Sequence, residues 1–235
     1  MMTRTPDEIT IYATCWMSIF YPHLGEHIRE ALTYIGRRAR LSSHVACCGW
    51  LSYTAGDWVR AQEEADAWVH AHLPESAVVV PSPACATFLR HHTRYLFEQD
   101  PAALDRVQDI QERIWEFGAY VNAIDAPVRM VVDGKILYVA GCGEGPAAGE
   151  TWLRRHLGDN VMSVPTTCCA DGGIFAVAMP ELSAAMVSRL AHHIRTSGAS
   201  YVVTDEPACH FHLHRALAST SIQVVHLADL MQRGM

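Results

Sequence analysis

The chain is written twice, and its cysteines mark the two copies. Cys15, the adjacent pair Cys47-Cys48 and Cys85 lie in the first half; Cys142, the pair Cys168-Cys169 and Cys209 lie in the second, and these are all eight cysteines of the 235 residues. Matching cysteines are offset by 127 (15 to 142), 121 (48 to 169) and 124 (85 to 209) residues. Their surroundings repeat as well. Ile9-Thr10-Ile11-Tyr12-Ala13 leads to Cys15 as Ile136-Leu137-Tyr138-Val139-Ala140 leads to Cys142, and Ser82-Pro83-Ala84-Cys85 is answered by Glu206-Pro207-Ala208-Cys209. Near-constant offsets of this kind indicate a repeated structural unit, so any fold the first half adopts must also suit the second. The expected organisation is a first lobe over 1–121, a linker over 122–134 where Asn, Asp, Pro and Gly cluster, and a second lobe over 135–235.

Each copy alternates short β-rich runs with amphipathic stretches. Leu24, Ile28, Ala31, Leu32 and Ile35 recur at helical spacing over 22–35, and Gly36 closes the run. Residues 57–72 form a second such stretch with Asp57 as N-cap, and 180–196 a third with Pro180 in the first turn. Residues 106–121 read as one further helix packed outside the first lobe. Strands alternating with helices of this length specify an α/β protein: two homologous Rossmann-like lobes with parallel sheets, related by internal duplication.

This reading turns cysteine spacing into chemistry. Cys15, Cys85, Cys142 and Cys209 each follow a predicted strand and precede a predicted helix, and the two pairs fall in loops after 40–45 and 161–164. Ligands of open α/β sheets sit at the carboxyl ends of the strands. A helix N-terminus aimed at the same place favours thiolate, the form that binds metal. Each lobe can thus bring four thiolates to one rim, which suits a tetrahedral zinc or an iron–sulfur cluster. Adjacent Cα atoms are about 3.8 Å apart, short of the roughly 4.4–6.8 Å of an ordinary disulfide, so bonding within a pair is strained. Metal or cluster ligation is the leading reading. A dithiol/disulfide role and inert buried cysteines stand behind it.

Bulk composition excludes other classes. Half the residues are hydrophobic and 18% are charged, as in ordinary soluble domains. No apolar run approaches the roughly 18 residues of a membrane span. A net charge of −7 gives no basic stripe for nucleic acid. The chain opens Met-Met-Thr-Arg-Thr-Pro-Asp-Glu with no apolar secretory segment, and a cytoplasmic protein is expected.

Several further residues are candidates. His210, His212 and His214 follow Cys209; in a helix His210 and His214 align at i, i+4. His210 is a candidate extra metal ligand and Glu206 a carboxylate alternative to a thiolate, against the simpler readings of surface histidines and a loop or cap residue. Asp171 beside the second pair could tune or bind a metal, although Asp171-Gly172-Gly173 also reads as a turn. Gly141, Gly143 and Gly145 form a glycine-rich loop whose embedded cysteine argues for a metal or cluster loop over a dinucleotide site.

Taken together, Thr14-Cys15 with Phe20-Tyr21-Pro22 and Gly25-Glu26, Cys47-Cys48-Gly49, Pro81-Ser82 with Cys85-Ala86, Cys168-Cys169 with Gly172-Gly173, Met179-Pro180-Glu181 with Ser183-Ala184-Ala185-Met186-Val187, and Gly198-Ala199 resemble the cysteine-rich CCG domain family over nearly the whole chain. That family includes the cysteine-rich subunit of heterodisulfide reductase and the iron–sulfur subunits of glycolate oxidase and anaerobic glycerol-3-phosphate dehydrogenase; the likeness is strongest to its lactate-utilisation branch. The resemblance implies an iron–sulfur electron-transfer subunit, carrying a 4Fe-4S cluster with zinc possible in one lobe, with all eight cysteines as ligands. Its partners would be other subunits of an oxidoreductase complex, a ferredoxin-like iron–sulfur protein among them, oxidising a 2-hydroxy acid such as L-lactate. The chain departs from the fuller pattern where Ser82 and Glu206 replace an extra cysteine in each lobe, and where Ala170-Asp171 follows the second pair. These departures keep open a zinc-binding or metal-free scaffold, or a heterodisulfide-reductase-like thiol/disulfide enzyme.

Overall fold

The computed structural model describes residues 5–143, 147–164 and 168–232. Two four-stranded parallel sheets are built in the same order. In the first, β1 (Glu8–Ile11) is flanked by β2 (Arg38–Leu41) and by β3 (Val78–Val80), and β3 pairs with β4 (Ile114–Glu116). In the second, β5 (Ile136–Val139) lies between β6 (Val161–Ser163) and β7 (Tyr201–Thr204), and β7 pairs with β8 (Gln223–His226). The shared order 2-1-3-4 and 6-5-7-8 makes β1 the counterpart of β5 and β3 that of β7, the correspondence the cysteine offsets require.

The helices are α1 (Cys15–Phe20), α2 (Pro22–Tyr34), α3 (Trp50–Thr54), α4 (Trp58–His72), α5 (Pro83–Thr87), α6 (Pro101–Gln111), α7 (Phe117–Ala123), α8 (Ala148–Leu157), α9 (Phe175–Ala178), α10 (Pro180–Thr196) and α11 (Pro207–Ala216). Asp57 caps α4 as expected, accepting from the Arg60 amide at 3.1 Å. The single helix expected over 106–121 is instead α6, strand β4 and α7. Ile114-Trp115-Glu116 pairs with Val78-Val79-Val80, so sheet pairing at the edge overrides local helical spacing. Trp58, at the first position of α4, is 57% exposed, whereas Trp68 is fully buried.

Period-two alternation along the strands sorts three cores. Ile9, Ile11 and Val79 of the first sheet and Ile136, Tyr138 and Val203 of the second enter one core shared by both lobes, filled by α2, α7, α8 and the turn Leu227–Met231. On its other face the first sheet turns Val78 and Val80 to Trp68 of α4 and Val107 of α6. The second sheet turns Leu137, Val139 and Val202 to Leu190 of α10 and Leu213 of α11. Sharing a core fixes one sheet against the other. Where α7 meets α8, a Cβ on Gly118 would lie 2.9 Å from the Gly149 nitrogen, so the two backbones approach as only glycine permits. The linker is tied down as well: the Trp152 indole N–H donates to the Ala126 carbonyl at 2.6 Å, and the Arg129 amide to the Leu230 carbonyl at 2.8 Å. No helix among the described residues is long and apolar enough to cross a membrane.

Candidate functional site

Because each sheet is parallel, all its carboxyl ends share one edge, and every cysteine falls in a loop or helix start at that edge. Thr14 caps α1, which begins with Cys15. Ser82 caps α5, its Oγ accepting from the Cys85 amide at 3.2 Å. The two edges do not open onto separate rims. Cys15, Cys47 and Cys85 of the first lobe and Cys142 and Cys209 of the second line a single cleft, together with Trp16, Trp50 and Asp171.

The first-lobe thiols form a continuous hydrogen-bonded run: Cys15 to Cys47, Cys47 to Cys48, and Cys48 to Cys85. Within it, hydrogen bonds from the Cys15 and Cys48 thiols hold the Cys47 sulfur far below the usual thiol range, and the Gly49 and Leu51 amides add to this. The bond with Cys47 and burial push Cys15 up. One thiolate stabilised by neighbouring S–H and N–H groups is a soft anionic donor set. Tyr12, at the end of β1, is buried beside all four sulfurs, and its hydroxyl donates to the Ala46 carbonyl at 2.6 Å.

The second lobe uses the same positions differently. Cys169 is joined to Cys209 in a disulfide with Cα atoms 5.5 Å apart. Bonding thus runs from the loop of the pair to the first turn of α11, not within the adjacent pair, whose Cα spacing is too short. Cys142 and Cys168 stay free and exposed, hydrogen-bonded to one another, and the Cys142 thiol pulls Cys168 down to about 6. The Ala170 amide donates to Cys168 Sγ at 3.2 Å, as Gly49 does to Cys47 Sγ at 3.4 Å. His212 bonds the Cys169 carbonyl through Nδ1 at 2.8 Å. Asp171 faces the cleft with a buried, unpartnered Oδ2.

Glu206 lines the cleft, but its carboxylate turns across the seam between the lobes. The Ser82 hydroxyl lies 2.9 Å from both carboxylate oxygens, and the Ala84 amide donates to Oε2 at 3.0 Å. Ser82 and Glu206 are equivalent positions of the repeat, so the two lobes meet at their matching helix caps. Burial pushes Glu206 up to about 7. Its neighbour Asp205, which sequence reasoning passed over, is also buried; it accepts from the Tyr138 hydroxyl and from the Gly141 amide at 2.9 Å. A Cβ on Gly141 would lie 2.8 Å from the Glu206 Cβ and 2.9 Å from Pro83, so this glycine is demanded by the seam. The one hint in the sequence was two carboxylates directly after an apolar strand.

His210 is placed away from the cysteine cleft. It is 9% exposed, not a surface histidine, because α11 packs this face on β8; its Nε2 bonds the Val224 carbonyl at 3.1 Å. His214, one turn on, is exposed. Gly145 lies outside the described residues. Among the described residues no group of three or more Cys, His, Asp or Glu side chains is already gathered as a metal cage. The first-lobe sulfurs are a chain of contacts, and their donor chemistry fits a thiolate-ligated metal or cluster better than any oxygen-preferring ion.

The chain is similar to several known proteins. Lactate utilization protein A 1 of Bacillus anthracis is 24% identical over 97% of this chain and 99% of that protein. Lactate utilization protein A of Halalkalibacterium halodurans is 25% identical over 95% and 96%. Among solved structures, a hypothetical protein from Helicobacter pylori superposes with a TM-score of 0.56 at 8% identity, covering 98% of this chain and 51% of that one, which bears on the fold alone. The cysteine-rich CCG domain matches residues 9–90 and 146–214, the segments that carry seven of the eight cysteines and both seam carboxylates, and the chain belongs to that family.

Proposed function

We propose that the chain is an iron–sulfur electron-transfer subunit of a complex that oxidises a small 2-hydroxy acid, L-lactate being the substrate that the names of its relatives suggest. The observation that carries this reading is the hydrogen-bonded run Cys15–Cys47–Cys48–Cys85 facing the second-lobe cysteines over one cleft. These four residues would hold a 4Fe-4S cluster, which when bound supplies a one-electron carrier; Cys142 and Cys168, with Cys169 and Cys209 once their bond is reduced, would form the second ligand set. The chain's own contribution is to hold the sulfurs in a low-water cleft, to donate the Gly49 and Leu51 amides to Cys47, and to fix the two sets against each other through Ser82 and Glu206. Other subunits, a ferredoxin-like iron–sulfur protein among them, would supply and accept the electrons in the cytoplasm. Glu206 is engaged in hydrogen bonds of its own and His210 does not line the cysteine cleft, which favours cysteine-only ligation of the cluster. Strictly anaerobic purification followed by iron, sulfide and zinc counts tests this: iron with equimolar sulfide is expected, and zinc without sulfide would contradict it in favour of a zinc-binding scaffold.

One observation favours a second reading for the second lobe. The Cys169–Cys209 disulfide would make that lobe a dithiol/disulfide couple, two electrons and two protons converting the bond to two thiols. Thiol titration of metal-free protein, before and after a reductant, decides it: two additional thiols are expected on reduction if the bond persists in the native protein.

A further inference from the structure

A cavity of about 240 Å³ that no cysteine lines has an unusual lining: His23 and His27 from α2 of the first lobe, His210 and His214 from α11 of the second, with His226 and Asp229. Each helix presents its two histidines at i, i+4, the spacing that places two imidazoles on one face of a helix for a shared ion. The His23 and His27 ring centroids are 5.0 Å apart and those of His210 and His214 are 6.2 Å apart. Two imidazoles on a tetrahedral ion with bonds of about 2.0–2.1 Å put their ring centres about 5 Å apart. The His23 and His214 rings both act electrostatically on His210, and His23 and His27 act on Asp229, so the groups from the two helices lie within electrostatic range of one another around one cavity.

The hydrogen bonding is what singles out this cavity. The His210 Nε2 proton goes to the Val224 carbonyl, which leaves Nδ1 as the lone-pair nitrogen, and this buried atom has no partner. His27 Nδ1 is likewise buried and unpartnered. A ring nitrogen fixed on a backbone carbonyl with the other nitrogen free is the arrangement that supports a metal-ligating histidine. His226 is different: both its ring nitrogens are engaged, with the Asp205 carbonyl at 3.0 Å and the Ala228 amide at 3.2 Å.

We propose that this cavity binds one divalent transition-metal ion of the imidazole-preferring kind, zinc in the first instance, through His27 and His210 with His23 and His214 closing over it. The ion ties α2 of one lobe to α11 of the other. The rings are not drawn into a cage as they stand; His23 and His214 are exposed and reach the ion by side-chain rotation, while His210 stays where the Val224 carbonyl holds it. The site is nitrogen-ligated and separate from the thiols, so it stands or falls independently of the cluster.

Cobalt(II) titrated anaerobically into the full-length protein tests it, because thiolate ligation gives intense sulfur-to-cobalt charge-transfer bands and imidazole ligation only weak visible ligand-field bands. The wild type is expected to take one equivalent that adds ligand-field intensity alone. The double variant His23→Ala/His214→Ala, altered only at exposed side chains, should bind that equivalent more than tenfold more weakly with the charge-transfer bands unchanged, and His193→Ala should match the wild type. An unchanged isotherm in the double variant, an equal loss in His193→Ala, or bound cobalt that always shows sulfur charge transfer would overturn the assignment.

Discussion

The two lobes share a strand order, a cysteine pattern and a cleft, yet they hold their sulfurs in different states. In the first, four free thiols stay half-buried or buried in one hydrogen-bonded run. In the second, two are joined and two exposed. The residue after each pair differs as well. Gly49 sits at φ 101° and Ala170 at φ 64°, the same left-handed position filled once by glycine and once by a side chain that resists it. The first loop is relaxed at its cysteines; the second carries local strain and pairs its inner cysteine with Cys209. A duplicated scaffold thus preserves where sulfur goes, while the state of the sulfur differs between the copies.

The largest expected effect breaks the comparison at its centre. Cys48→Ser removes the buried thiol linking Cys47 to Cys85, and the first-lobe iron should be lost almost completely while the fold persists; iron counts and circular dichroism measure this. The matching Cys169→Ser should leave first-lobe iron in place. A second pair of substitutions concerns backbone. Gly49→Ala puts a Cβ 2.7 Å from the Ala61 carbonyl oxygen in a left-handed conformation, and denaturant unfolding should show a loss of about 2–4 kcal/mol.

The seam gives a pH-dependent test. Burial raises Glu206 to about 7, above the roughly 4.3 of an unfolded glutamate. The native carboxyl therefore keeps its proton longer than the unfolded one. Its destabilising effect is absent below about pH 4, grows as pH rises from there to the folded value, and is complete above it. Glu206→Gln keeps an acceptor for Ser82 and Ala84 without this term, so its stability relative to the wild type should rise between pH 4.5 and 7.5, as followed by urea unfolding. The smallest effect is Ala170→Gly, which relieves the left-handed alanine and should stabilise by about 1 kcal/mol, seen as a small upward shift in the urea midpoint.

Much of this was legible in the residues. The repeat, the alternation that gives parallel sheets, and the fall of cysteines after strands are local patterns, and the chain carries them openly. Strand β4 was hidden because Val107, Ile110, Ile114, Phe117 and Val121 continue a helical spacing straight through it, and only pairing with Val78-Val79-Val80 reveals it. The meeting of Ser82 with Glu206 joins residues 124 apart in sequence, and the single cleft follows from the shared core between the sheets. Neither leaves a trace in spacing. His210 resembled a surface histidine because the burial comes from β8, a strand of Gln223-Val224-Val225-His226 with little contrast to its surroundings.

Iron K-edge X-ray absorption on anaerobically purified protein tests the central claim most directly. The account predicts iron surrounded by sulfur alone, with a short iron–iron distance, and loss of the first-lobe share of that signal in Cys48→Ser. Iron ligated by nitrogen or oxygen, or an iron–sulfur signal undiminished in Cys48→Ser, would contradict it.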